Sequence, residues 1–154
     1  RAEKQTQITE YLNDLEKAYQ NIHAGIYCRD WKLDSILYVE TKRAQQQGIK
    51  ITCKVQNYPE DQDGIQCMGK VLVKLFEYAI AENEKIHDPD KKQIDVQINV
   101  IANQAVVLLT CPAGKKTYGL KKKINELTKE REGNTEVEKV EEKMKICVTF
   151  AEKD

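Results

Sequence analysis

Aromatic side chains are scarce in this 154-residue chain: one Trp, two Phe and seven Tyr. Too few of them stand near basic clusters to make a stacking platform for single-stranded nucleic acid. A charge excess is missing too, since 25 basic residues meet 25 acidic ones, so no global field argues for a polyanionic partner. Long apolar runs are absent. The longest uninterrupted one, Ala105 to Leu109, is far short of a membrane span, and no stretch has the order of a signal peptide. The five cysteines, Cys28, Cys53, Cys67, Cys111 and Cys147, contain no CxxC pair. An odd, scattered set, with Cys53, Cys67 and Cys147 among apolar-patterned elements, reads as buried free thiols of a reducing compartment. His23 and His87 lack ligand spacing to any cysteine, which argues against zinc. The chain opens at Arg1 instead of a methionine, as a fragment would.

What is present suits one globular domain, with 40% hydrophobic and 32% charged residues. Its longest amphipathic segment is Ile65 to Lys85, where Met68, Val71, Leu72, Leu75, Phe76, Ala79 and Ile80 form one wide stripe at helical spacing. That predicts a central, largely buried helix. Before it, Ile8, Leu12, Leu15, Tyr19 and Ile22 alternate steps of four and three over residues 1–23, a coiled-coil-like seam. Two readings stay open for residues 1–29: a dimer stalk with its connector, or a helix laid on its own domain. His23, at the end of this segment, reads as a surface or cap histidine. Asp30 is placed to cap a second helix carrying Leu33, Ile36, Leu37 and Ala44 and stopped by Gly48. Strict alternation from Ile49 to Gln56 predicts a strand. Asn57 to Gly64 reads as a loop, whose acids Glu60, Asp61 and Asp63 fit helix-start electrostatics better than any EF-hand spacing.

After a turn at Ile86 to Asp90, Ile94–Ile101 and Ala105–Cys111 read as strands joined tightly through Ala102-Asn103-Gln104. Val106 to Leu109, apolar on both faces, belongs mid-sheet. A last helix is expected from Gly119 to Arg131, then Gly133-Asn134 and a closing hairpin, Thr135–Lys139 with Lys145–Phe150, through Glu141-Glu142. Lys115, Lys116, Lys121, Lys122 and Lys123 gather at the start of that helix. They could attract a phosphate or polyanion, although lysines there oppose the helix dipole and short charge runs are usually solvated.

Three stretches carry a family resemblance. Lys74-Leu75-Phe76-Glu77-Tyr78-Ala79-Ile80-Ala81-Glu82 resembles the N-box helix, approximately NLLDNAIEA, of the histidine-kinase-type ATP-binding domain shared with gyrase B, Hsp90 and MutL. Upstream, Leu33-Asp34-Ser-Ile36-Leu37 through Lys42, Ala44 and Gly48-Ile49 is similar to the LDxILxxKxxxAxxxGI lead-in of the quorum-sensing, accessory-gene-regulator type of sensor kinase. Downstream, Leu109-Thr110-Cys111-Pro112-Ala113-Gly114 and Lys116-Thr117-Tyr118-Gly119-Leu120-Lys121-Lys122 stand where the two glycine boxes would lie. The resemblance implies an α/β (α+β) two-layer sandwich of Bergerat type over residues 30–154: a mixed, largely antiparallel sheet packed on about three helices, preceded by an N-terminal helix.

The same resemblance implies lost chemistry. Tyr78 stands where the family's second asparagine offers an amide oxygen to magnesium, and a neutral phenol is a poor ligand for a hard cation. Lys74 replaces the first asparagine and can neither act as base at pH 7 nor hold a metal. Cys111 replaces the acid or amide that reads adenine. The nucleotide-pocket equivalents are therefore Lys74, Glu77, Tyr78, Cys111, Gly114, Gly119 and Leu120, with Lys115, Lys116, Lys121 and Lys122 as candidate anion contacts and with no catalytic or metal-ligating residue. Glu77 or Glu82 could replace the missing magnesium ligand, but Glu77 is turned about 100° from Tyr78 on the helix.

Three functions follow from the resemblance. One is a signalling or dimerisation scaffold in a two-component pathway, expected to take no cofactor and to meet a response regulator, a partner kinase or a second copy. Another is a working kinase domain with ATP and magnesium. The third is a module for another small molecule in the vacated pocket. Nucleic acid and membrane contact are not expected, and the location implied is the cytoplasm, as the cytoplasmic part of a membrane-anchored sensor or by itself.

Overall fold

Helix α1 covers residues 6–14 of the structure, a computed structural model that describes residues 6–14, 25–114 and 116–152. Its described apolar residues Ile8, Tyr11 and Leu12 are exposed. Leu15, Tyr19, Ile22 and His23 lie outside the described residues. Then follow α2 (Trp31–Gln46), β1 (Lys50–Val55), α3 (Gln62–Glu84), a 3-10 turn (Pro89–Lys91), β2 (Gln93–Ile101), β3 (Gln104–Pro112), α4 (Tyr118–Leu127), a second 3-10 turn (Lys129–Arg131), β4 (Asn134–Val140) and β5 (Lys143–Ala151).

Local chemistry sets most of these boundaries. Asp30 caps α2 by accepting from Leu33 N at 3.0 Å. Gly48, at φ 76°, ends it in the left-handed region. The β2–β3 connection uses Ala102 and Asn103, both at positive φ, as a two-residue hairpin turn requires. Two expectations change. The central helix begins at Gln62, three residues before Ile65, because the Asp61 carboxylate accepts from Gly64 N at 2.9 Å and becomes its N-cap. The last helix ends at Leu127, short of Arg131, because the Arg131 guanidinium is drawn inward to Asp61 at 2.5 Å and to the Ala151 carbonyl at 3.2 Å.

The sheet order is β1-β2-β3-β5-β4, with β1 and β2 parallel and every other pair antiparallel. β3 is therefore central, as its two-sided apolar pattern requires. One sheet face carries Ile94, Val96, Ile98, Val107, Leu109, Ile146 and Val148 into the core, where α3 lays Met68, Leu72, Leu75, Phe76 and Ala79 across it and α2 and α4 flank them. A two-layer α+β sandwich results. Cys28, Cys67 and Cys111 are buried free thiols, but Cys53 and Cys147 are only half-buried, a correction that follows from their places on β1 and on the sheet face opposite the helices.

One buried charge lies in the α2–α3 contact. Glu40 is 4% exposed, with Arg43 Nη1 at 3.1 Å. Burial raises its pKa, Arg43 opposes that rise, and Glu77 adds to it. A carboxyl raised by folding contributes stability that is full below its unfolded pKa and lost as pH rises through its folded pKa. Glu40→Gln is thus expected to melt a few degrees higher than wild type at neutral pH, with the gap closing in thermal scans taken down to about pH 4. A variant less stable than wild type at pH 7 would contradict this sign.

Candidate functional site

β3 ends at the layer boundary, where Cys111 turns into the core and Pro112-Ala113-Gly114 leaves the sheet. Ala113 N donates to the Glu142 carbonyl at 2.8 Å, so the β4–β5 turn fixes this exit. Across from it, α3 presents Tyr78 and Glu82, one helical turn apart on one face. The structure brings these groups together. The Tyr78 hydroxyl is 4.0 Å from Met144 Sδ on β5. A Cβ built on Gly114 would collide with that hydroxyl and would lie 2.8 Å from Glu82 Oε2. The close approach disfavours a larger residue at Gly114, although the obstructing atoms end flexible side chains, and the phenol and carboxyl close over the strand end.

The electrostatics keep this cluster inert. Burial, then the Glu82 charge, then Cys111 push the Tyr78 phenol up to about 12. Burial and then Glu82 push the Cys111 thiol to about 12 as well. Both groups are neutral at pH 7, and neither a phenolate nor a thiolate is available as ligand or nucleophile. Glu82 itself is paired with Lys85 Nζ at 3.1 Å and its side chain is 12% exposed.

Other candidate residues lie elsewhere. Lys74 Nζ stands 3.6 Å from the exposed Glu77 carboxylate and lines a groove between α2 and α3, away from Gly114. Leu120 is buried core, while Gly119 faces open space. Lys116, Lys122 and Lys123 are exposed; Lys121 is half-buried and lines a shallow pocket with Glu136 and Glu138. Lys115 lies outside the described residues. α4 starts with no side-chain cap on its N–H groups and no acid in its first turn. Residues 113–117 connect β3 to α4.

Among the described residues, cavities of about 560 Å³ include one lined by Cys111, Asp95, Lys91 and Lys143 among others and another between α2 and α3. Neither is lined by Tyr78, Glu82 or Gly114. Tyr78 sets a phenol beside the strand exit, and protein side chains pack against Gly114. The contribution of Met144 was invisible in the sequence, since it arrives from β5 with no local signal.

The packing at Gly114 gives a testable coupling. Gly114→Ala is expected to cost about 1–2 kcal/mol, as overpacking does when the obstructing atoms end flexible side chains. In a Tyr78→Ala background the cost should fall by at least half, read by urea denaturation as a double-mutant cycle. Equal costs in both backgrounds would show that the phenol does not close the turn.

No protein-family model matches the chain, and no curated protein matches it in sequence. Solved structures do match. The Acinetobacter baumannii histidine kinase AdeS aligns with 99% of this chain and 81% of its own, at TM-score 0.62 and 12% identity. A nucleotide-free catalytic domain of histidine kinase ThkA aligns over 79% of this chain and 90% of its own, at TM-score 0.57 and 14% identity. The histidine kinase domain of a blue-light activated histidine kinase, EL346, from Erythrobacter litoralis aligns over 78% and 60%, at TM-score 0.60 and 8% identity. At such identities the shared property is architecture: this chain has the fold of histidine kinase catalytic domains.

Proposed function

We propose that the chain is the catalytic-type domain of a sensor histidine kinase, of the accessory-gene-regulator branch, that has given up magnesium-ATP and serves two-component signalling as a docking or dimerisation scaffold. The packing of Tyr78 and Glu82 against Gly114 carries this reading. Its partners are a response regulator or a partner kinase on the cytoplasmic side, and a second copy met through the N-terminal helix. No described helix is long and apolar enough to cross a membrane, so any anchoring belongs to other segments.

A thermal shift assay tests the proposal. A site with a Kd of about 50 µM would be at a hundredfold excess in about 5 mM magnesium-ATP, a linkage of about 2.7 kcal/mol. For a domain of this size that raises Tm by roughly 5–10 °C. The proposal expects no such rise, with or without magnesium; a magnesium-dependent rise would return the domain to the active kinases.

A further inference from the structure

The groove between α2 and α3 keeps about 560 Å³ of space with α1 already laid against it, since Leu12 is one of its walls. Gly69 lets α2 and α3 approach there, because a Cβ would lie 2.8 Å from Ile36 Cδ1. Trp31 and Ile36 of α2, Ile65 and Val73 of α3 and Leu127 at the end of α4 complete the apolar walls. The volume falls within the roughly 300–1,000 Å³ of small-molecule pockets, and walls of this kind suit the apolar body of a ligand. Tyr78, Glu82 and Gly114 do not line this space.

Charge of one sign dominates the lining. Lys32, Lys70 and Lys74 stand against one acid, Asp63. Lys32 donates to the Gln62 amide oxygen at 3.3 Å, and Lys74 faces the exposed Glu77 carboxylate. Lys70 is exposed, and among the described residues no carboxylate pairs with it. Lys70 and Lys74 are also i and i+4 on α3, so two ammonium groups share one side of an apolar cavity, and an anion between them relieves their repulsion. We propose that the groove binds a free single-chain carboxylate amphiphile of the fatty-acid class, its chain among Trp31, Ile36, Val73 and Leu127 and its head group at Lys70. Such a ligand touches α1, α2, α3 and the end of α4 at once, and its binding ties α1 to the domain. The site does not depend on the loss of ATP, so nucleotide binding would overturn the scaffold reading and leave this one standing.

Trp31, the one tryptophan of the chain, lines the groove and reports on it. The full chain is titrated with dodecanoate below its micelle-forming concentration while Trp31 emission is followed. The expected result is a saturable shift to shorter wavelength with Kd on the order of 100 µM. Burying a methylene is worth roughly fourfold in affinity, so decanoate should bind about tenfold more weakly. Dodecyltrimethylammonium, with the same chain and the opposite charge, should bind about fivefold more weakly than dodecanoate, and Lys70→Glu should cancel that preference. Val73→Glu sets a charge against the chain at an exposed wall position and should weaken dodecanoate about tenfold, with the Tm of the free protein unchanged. Four results would overturn the proposal: no saturable response to dodecanoate; equal affinity for the two head groups; dodecanoate binding untouched by both Lys70→Glu and Val73→Glu; or a response to anionic phospholipid vesicles without one to monomeric dodecanoate, which would make this face a membrane contact.

Discussion

Gly133→Ala is expected to cost about 3 kcal/mol or more, a large share of the roughly 5–15 kcal/mol that holds a domain of this kind together. Gly133 follows the left-handed Glu132, at φ 53°, in the turn between α4 and β4. Its N–H donates to the Thr128 carbonyl at 3.0 Å, which holds the turn shut. A Cβ there would run into the Thr128 side chain and lie 3.0 Å from the Thr128 carbonyl oxygen. Thr128 cannot yield, because it is fully buried and its hydroxyl donates to the Ile124 carbonyl at 2.9 Å. Relief would have to move α4 or the start of β4. Gly119→Ala is the control: a Cβ there meets open space in the first turn of α4, so the change should be neutral or stabilising by up to about 1 kcal/mol. Urea denaturation of the two variants beside wild type checks the contrast. Similar costs for both would mean that the turn at Gly133 is looser than described.

Asn83→Ala is expected to cost about 2–3 kcal/mol, through hydrogen bonds lost where water cannot replace them. Asn83 is fully buried at the end of α3. Its amide nitrogen donates to the Ala79 carbonyl at 2.8 Å and to the Gln93 carbonyl at 3.2 Å, and its oxygen accepts from Gln93 N at 2.8 Å. One side chain thus ties the end of the central helix to the first residue of β2. Truncation strands both backbone groups of Gln93 between helix and sheet. Asn83→Asp should also destabilise, since it removes the donor and buries a charge. Hydrogen exchange adds a local readout: faster exchange at the start of β2 in Asn83→Ala, with β3 and β5 unchanged except through global stability. Stability within about 0.5 kcal/mol of wild type would show that water satisfies these groups.

Periodicity carried much of this architecture. The α3 stripe, the alternation of β1 and β2, the two-sided pattern of β3 and the Gly48 stop are all local signals, and each element formed where its pattern lay. The misplaced boundaries share one cause. Asp61 and Arg131 are 70 residues apart, and their contact both starts α3 early and ends α4 early. Neither residue announces the other in sequence. Asp61 is held below its ordinary pKa: burial raises it, and the Gly64 N–H and the Arg131 guanidinium outweigh that rise.

The candidate site divides in the same way. Tyr78 and Cys111 could be singled out because they replace residues of a recognisable pattern, and their neutrality follows from residue type and burial. That Tyr78 and Glu82 close on Gly114, that Met144 backs the phenol, and that Lys74 turns to Glu77 and the α2–α3 groove depend on how strands from distant parts of the chain meet α3. Of the five neighbouring lysines read as one anion site, Lys116, Lys122 and Lys123 are exposed and Lys115 lies outside the described residues.

The measurement that bears most directly on the closed turn is an ATP titration, with and without magnesium, of the isotope-labelled domain followed by amide resonances. The groups to watch are Cys111, Ala113 and Gly114 on the strand exit and Tyr78 on α3. The account predicts that these resonances stay in place up to about 5 mM nucleotide, a concentration at which any site with Kd near 50 µM would be saturated. Saturable, magnesium-dependent shifts centred on Gly114 and Tyr78 would contradict it, because they would show that the phenol swings away and the domain still accepts its nucleotide.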